Sequence, residues 1–108
     1  MKALPVVLRS LAASDVEQAV DFYVSESSAE TALGFVDALE HSFAYLGRHP
    51  ASGSHRYAHE LQLPALRSWP LRRYPYVVFY VQSAACVDVW RVLHAERDLP
   101  ARLRDEPP

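Results

Sequence analysis

The stretch from Leu66 to Asp98, LRSWPLRRYPYVVFYVQSAACVDVWRVLHAERD, constrains this chain more than any other. It reads as three short strands in a meander, over residues 66–71, 74–82 and 86–94. In the middle strand successive side chains point to opposite faces, so Tyr74, Tyr76, Val78 and Tyr80 line one face and Val77, Phe79 and Val81 the other. Both sets are apolar or aromatic. Such a strand belongs to a sheet covered on two sides, and a chain of 108 residues has few elements left to build two layers. A partner molecule over the second face is therefore expected.

Residues 1–108 are expected to form a single domain, since half of the residues are apolar and under a quarter are charged. The formal net charge of −2 gives no overall attraction to nucleic acid or anionic lipid. Its distribution is uneven. Residues 1–60 hold four basic and eight acidic side chains, whereas residues 61–108 hold seven arginines against five acids. Cys86 is the one cysteine, which rules out an intrachain disulfide and suits a reducing cytoplasm.

The opening MKALPVVLRSLAA resembles a signal peptide, but Arg9 interrupts its apolar run too early for one, and no stretch approaches a membrane span. Residues 4–9 read as a first strand with Pro5 near its start. Two helices follow. In the first, Ala12, Val16, Ala19, Val20 and Tyr23 recur at helical spacing, with Asp15, Glu17, Gln18 and Asp21 mostly opposite; Ser10 is one N-cap and the Ser14–Glu17 capping box another. In the second, Ser27 or Ser28 is the cap, Ala32, Val36, Leu39, Phe43 and Leu46 form the apolar stripe, and Gly47 suits the C-terminal cap. The short link makes them an antiparallel hairpin. Residues 49–63 read as a surface crossing, and residues 99–104 as a short last helix before a frayed Pro107-Pro108 end.

The order strand, helix, helix, strand, strand, strand gives an α+β domain with a helical hairpin on one face of a mostly antiparallel sheet. Three runs then carry a resemblance: Leu66-Arg67-Ser68-Trp69-Pro70, Tyr74-Pro75-Tyr76-Val77-Val78-Phe79-Tyr80, and Arg91-Val92-Leu93-His94-Ala95-Glu96-Arg97-Asp98. With Asp15-Val16 in the first helix and Leu46, Pro50 and Gly53 after the second, the chain resembles ParE-type toxins of the RelE/ParE superfamily from about Val6 to Leu99. The resemblance implies a toxin neutralised by a ParD-like antitoxin and acting on DNA gyrase. It implies no cofactor, no membrane and no sequence-specific DNA binding by the chain alone. Arg67, Arg91, His94 and Arg97 are the candidates for toxin activity. Tyr76, Val78, Tyr80 and Trp90 are the candidates for antitoxin binding, if their face is the open one.

Two other readings stay open. RelE-like members of the superfamily cleave messenger RNA on the ribosome, and that chemistry would draw on Arg67, Tyr74, Tyr80, Arg91 and His94 to hold a phosphate and move protons. The slightly acidic chain and its Arg-Val-Leu-His strand ending speak against a ribonuclease. The third reading is an inactive toxin fold that only docks a regulator.

Each residue also has a plain structural role to weigh. Arg91 either reaches a partner surface or buttresses Asp88 or Asp98, and alternation alone leaves it undecided whether its set or that of Trp90, Val92 and His94 faces the helices. His94 and Arg97-Asp98 are expected to fix the exit from the last strand through hydrogen bonds. Trp69 and Trp90 read as packing anchors, and Cys86 as a small strand residue. His55 and His59 stand four apart, but no third ligand has suitable spacing, so no metal site is expected.

Overall fold

Proline donates no backbone hydrogen bond, and Pro5 sits just ahead of the first strand, where its carbonyl accepts from the Val87 N–H at 2.9 Å. The structure, a computed structural model, describes residues 2–98, so the expected helix at residues 99–104 and the Pro107-Pro108 end lie outside the described residues. The elements are β1 (Val6–Leu8), α1 (Ser10–Glu26), α2 (Ala29–Arg48), a 3-10 turn (Pro50–Ser52), α3 (Ala58–Leu61), β2 (Leu66–Pro70), β3 (Tyr76–Gln82) and β4 (Val87–His94). The four strands form one sheet in the order β1-β4-β3-β2, with β1 parallel to β4 and the other neighbours antiparallel. The expected α+β order of strand, helical hairpin and meander is the one that forms. Leu71, Tyr74 and Cys86 fall outside the ladder, because the β2–β3 turn closes through Leu71 N–H to the Tyr76 carbonyl at 2.9 Å and the β3–β4 turn through Ser83 N–H to the Cys86 carbonyl at 2.9 Å.

Neither serine reading of the α1 start holds: Ser10 is already its first residue, and Arg9 takes the cap position without a side-chain bond. Ser14 lies inside the helix and accepts from Gln18 Nε2 at 3.1 Å. For α2 the cap is Ser28, whose hydroxyl accepts from the Thr31 N–H at 3.1 Å. Gly47 is inside α2 and does not cap it. Its carbonyl accepts from the Leu4 N–H at 2.8 Å, and a Cβ there would stand 2.8 Å from the Leu4 carbonyl oxygen. Glycine is needed for this close approach of the segment leading into β1.

The hairpin covers one face of the sheet, with Ala12, Ala19, Phe35, Leu39 and Leu46 packed on Tyr76, Val78, Tyr80, Val87, Val89 and Val92. Phe35 is fully buried and Val36 only half-buried, which turns the α2 stripe slightly from the expected one. The β4 strand does not alternate simply. Tyr80 pairs with Val89 but Phe79 pairs with Arg91, so Trp90 is an extra residue in a β-bulge. Val87, Val89 and Val92 consequently share the hairpin side, while Leu93 and Trp90 pack on the other.

That second face is sheltered by the chain itself, which overturns the expected need for an outside partner there. Tyr57, Ala58, Leu61 and Leu63 pack on Leu66, Val77, Phe79 and Leu93, all four of which are at most 8 % exposed. The crossing at residues 49–63 is held against the sheet by reciprocal bonds between Ser54 and Ser68, at 2.9 and 2.8 Å.

Candidate functional site

Helix α1 crosses β4 with Ala12, Asp15 and Ala19 turned inward, a spacing of three and four residues that keeps them on one side. The Asp15 carboxylate there accepts from Arg91 Nε and Nη2, each at 2.9 Å, and from the Val92 N–H at 3.0 Å. Arg91 is 1 % exposed. Its partner is neither Asp88 nor Asp98, and it presents no surface to another molecule: the bulge swings its guanidinium beneath α1. A bidentate pair of this kind is strongly oriented, and it joins the first helix to the last strand at the level of the strand's exit.

The exit turn is built from its own side chains. His94 Nδ1 accepts from the N–H groups of Glu96 and Arg97, both at 3.1 Å, and Asp98 Oδ2 accepts from the His94 N–H at 3.1 Å. His94 thus fixes the turn, as expected, and the bonded Nδ1 is the unprotonated nitrogen. Arg97 is placed by this turn in the open. Its Nη2 donates to the Tyr76 hydroxyl at 3.1 Å, and its guanidinium lies 4.9 Å from the centre of the Phe22 ring, itself 42 % exposed. Beneath it is a cavity of about 230 Å³ lined by Asp15, Gln18, Phe22, Tyr76, Arg97 and Asp98 among others. Burial raises the Tyr76 hydroxyl above its ordinary value of 10.0, with Arg97 pulling the other way, so the phenol is neutral at neutral pH. The arrangement presents an oriented guanidinium, able to bind a carboxylate or phosphate from a partner.

The other sequence candidates are elsewhere. Arg67 Nη1 donates to the carbonyls of Ala51 and Gly53, both at 2.9 Å. Tyr80, fully buried, donates to the Pro50 carbonyl at 2.7 Å and accepts from the Gly53 N–H at 2.9 Å, so both residues hold the crossing on the sheet. Tyr74 donates to the Thr31 carbonyl on α2 at 3.3 Å. Arg67 and Tyr80 are paired across β2 and β3 and share Gly53, but Tyr74 reaches α2, His94 sits at the strand exit and Arg91 lies beneath α1; with Tyr80 and Arg91 sealed from solvent, the five residues of the ribonuclease reading form no common open cluster. The antitoxin-binding set is also corrected. Tyr76, Val78 and Tyr80 are 4 %, 0 % and 0 % exposed, because theirs is the face that the hairpin covers. Trp90 is half-buried, with its Nε1 donating to Asp88 at 3.2 Å and the Arg9 guanidinium 4.7 Å above its ring. Trp69 stacks on Tyr45.

Sequence reasoning missed Asp15 and Phe22 as parts of this region. The available signal was an acid spaced with Ala12 and Ala19 on an apolar helix face, where an unpaired carboxylate is not tolerated. Among the described residues no group of three His, Cys, Asp or Glu side chains is placed to hold a metal ion, and no helix is long and apolar enough to cross a membrane.

Comparison with known proteins agrees with this architecture. The model of the family described as ParE toxin of type II toxin-antitoxin system, parDE, matches residues 6–99. No curated protein matches by sequence. Among solved structures, a chain from the "Chromosomal ParDE TA system from P. aeruginosa" superposes with a TM-score of 0.72 at 21 % identity, covering 87 % of this chain and 98 % of that one.

Proposed function

Since the chain belongs to the ParE toxin family of type II toxin–antitoxin systems, we propose that it is a growth-arresting toxin, held inactive by a ParD-type antitoxin and acting on DNA gyrase when released. The observation that carries this reading is the family match over residues 6–99. It is supported by the absence of a shared open cluster among Arg67, Tyr74, Tyr80, Arg91 and His94, which a phosphate-cleaving site would require. Residues 1–108 act as one toxin domain in the cytoplasm. Arg97 is the surface group proposed to engage the target, since of the four arginine and histidine candidates it alone is exposed, with Arg91 sealed and Arg67 and His94 tied to backbone groups.

Controlled expression in bacteria is expected to stop growth, and co-expression of the adjacent gene of the operon to restore it. Purified protein is expected to inhibit gyrase supercoiling, and Arg97→Ala to weaken that inhibition about tenfold or more, with a loss of stability of no more than about 1 kcal/mol from the Tyr76 hydroxyl left without its donor. Ribosome-dependent messenger cleavage with intact supercoiling would instead assign a ribonuclease, and the absence of any growth effect would assign a docking module.

A further inference from the structure

Phe22 comes three residues after Ala19 and seven after Asp15, at the rim of the inward face of α1, and it packs into neither core cluster. What its open ring meets is the Arg97 guanidinium, 4.9 Å from the ring centre. The guanidinium is therefore held at two points, against Phe22 and through Nη2 on the Tyr76 hydroxyl. Tyr76 is itself fixed, because its ring packs on Phe35 and His94 at 5.0 and 5.2 Å between centres. An arginine held in this way has less rotamer freedom left to lose on binding than a free surface arginine.

A guanidinium carries several N–H donors, and Arg97 makes no hydrogen bond or ion pair among the described residues beyond the one to Tyr76. The Tyr76 hydroxyl accepts that bond and keeps its own proton to donate. Two donor groups thus border the cavity of about 230 Å³. The acids in its wall are engaged already, Asp15 by Arg91 and the Val92 N–H, and Asp98 by the His94 N–H.

We infer that Phe22 and Tyr76 are positioning residues for Arg97, and that the three form a receptor for a single carboxylate side chain of the target protein. The inference deepens the reading of Arg97 as the group that engages the target, and rests on it. A planar guanidinium with one face against a ring leaves its donor edge for a bidentate carboxylate. A carboxylate is favoured over DNA phosphate by the surroundings. Exposed Asp21 and Glu96 stand next in sequence to Phe22 and Arg97, with Asp98 in the cavity wall, so the dense charge of a duplex would be set against these acids.

The test uses the full chain and purified gyrase, reading inhibition of supercoiling and calorimetric binding to DNA-free gyrase. Phe22→Leu is expected to weaken both about three- to tenfold, and Phe22→Tyr, which keeps the ring, to restore most of that loss. Arg97→Lys is expected to lose as much as Arg97→Ala, since an ammonium lacks the fork. Tyr76→Phe is expected to weaken binding about threefold or more. The deciding measurement is the double variant Phe22→Leu with Arg97→Ala: a loss no greater than that of Arg97→Ala alone shows that Phe22 acts through Arg97. Additive losses, or wild-type inhibition by Phe22→Leu, overturn the inference while the gyrase reading stands. Binding that requires DNA assigns the guanidinium to phosphate and overturns the carboxylate. A wild-type chain that neither binds nor inhibits gyrase overturns the gyrase reading itself, and this inference with it.

Discussion

The Asp15–Arg91 pair is the residue on which most of this molecule's polar order turns. Both groups are buried and form a bidentate ion pair, so removing one leaves the other's charge buried without its counterion. Asp15→Ala is expected to cost about 3–5 kcal/mol in urea denaturation, and Arg91→Ala a similar amount. Replacing both together, Asp15→Leu with Arg91→Met, is expected to recover most of that loss; a double variant as unstable as the singles would show that the pair contributes more than mutual neutralisation. Growth assays on Arg91→Ala therefore report folding, and Arg97→Ala is the variant that interrogates the surface. Tyr80 is a second such residue. Tyr80→Phe leaves the Pro50 carbonyl and the Gly53 N–H without their partner, at a cost of about 1–3 kcal/mol, read as a shift of the denaturation midpoint.

At the scale of elements, two glycines of α2 look alike in sequence and differ in consequence. Gly47→Ala improves helix propensity by about 1 kcal/mol, yet its methyl meets the backbone oxygen of Leu4, which cannot move without dislodging β1. A lower melting temperature, together with faster amide exchange in Val6–Leu8, is the expected result. A methyl on Gly34 meets the Tyr74 hydroxyl, the far end of a side chain that can swing away at the loss of one long hydrogen bond. The β2–β3 turn carries one of two left-handed non-glycine positions, the other being Gln62 after α3: Arg73 holds φ at 71°, where a side chain costs about 1–2 kcal/mol. Arg73→Gly is expected to raise stability by up to about 1 kcal/mol, since the relieved strain exceeds the entropy lost by glycine.

For the whole molecule, the buried phenols set the response to alkali. Burial raises Tyr23, Tyr76 and Tyr80 above the ordinary value of 10.0, so the folded chain holds these protons more tightly than the unfolded one. Their contribution to stability is complete below pH 10 and declines as pH rises from there through the folded values. Denaturation midpoints are expected to be insensitive to these groups at neutral pH and to fall above about pH 10, with ultraviolet tyrosinate absorbance rising in step. The same packing explains why the central strand needs no companion. The hairpin closes one face, and the crossing with α3 closes the other.

The order of elements, the helical hairpin, the meander and the family were legible in the sequence, because alternation, helical periodicity and turn residues are local properties that each segment carries with it. The role of His94 in the exit turn was legible for the same reason, its bonding partners lying two to four residues away. The bulge at Trp90, the burial of Arg91 against Asp15 and the covering of the second face were decided by tertiary structure alone. Each depends on groups brought together from distant parts of the chain: one inserted residue in a ladder reverses which face every later side chain serves, and an irregular segment gains its packing role only when the strands it shelters are in place.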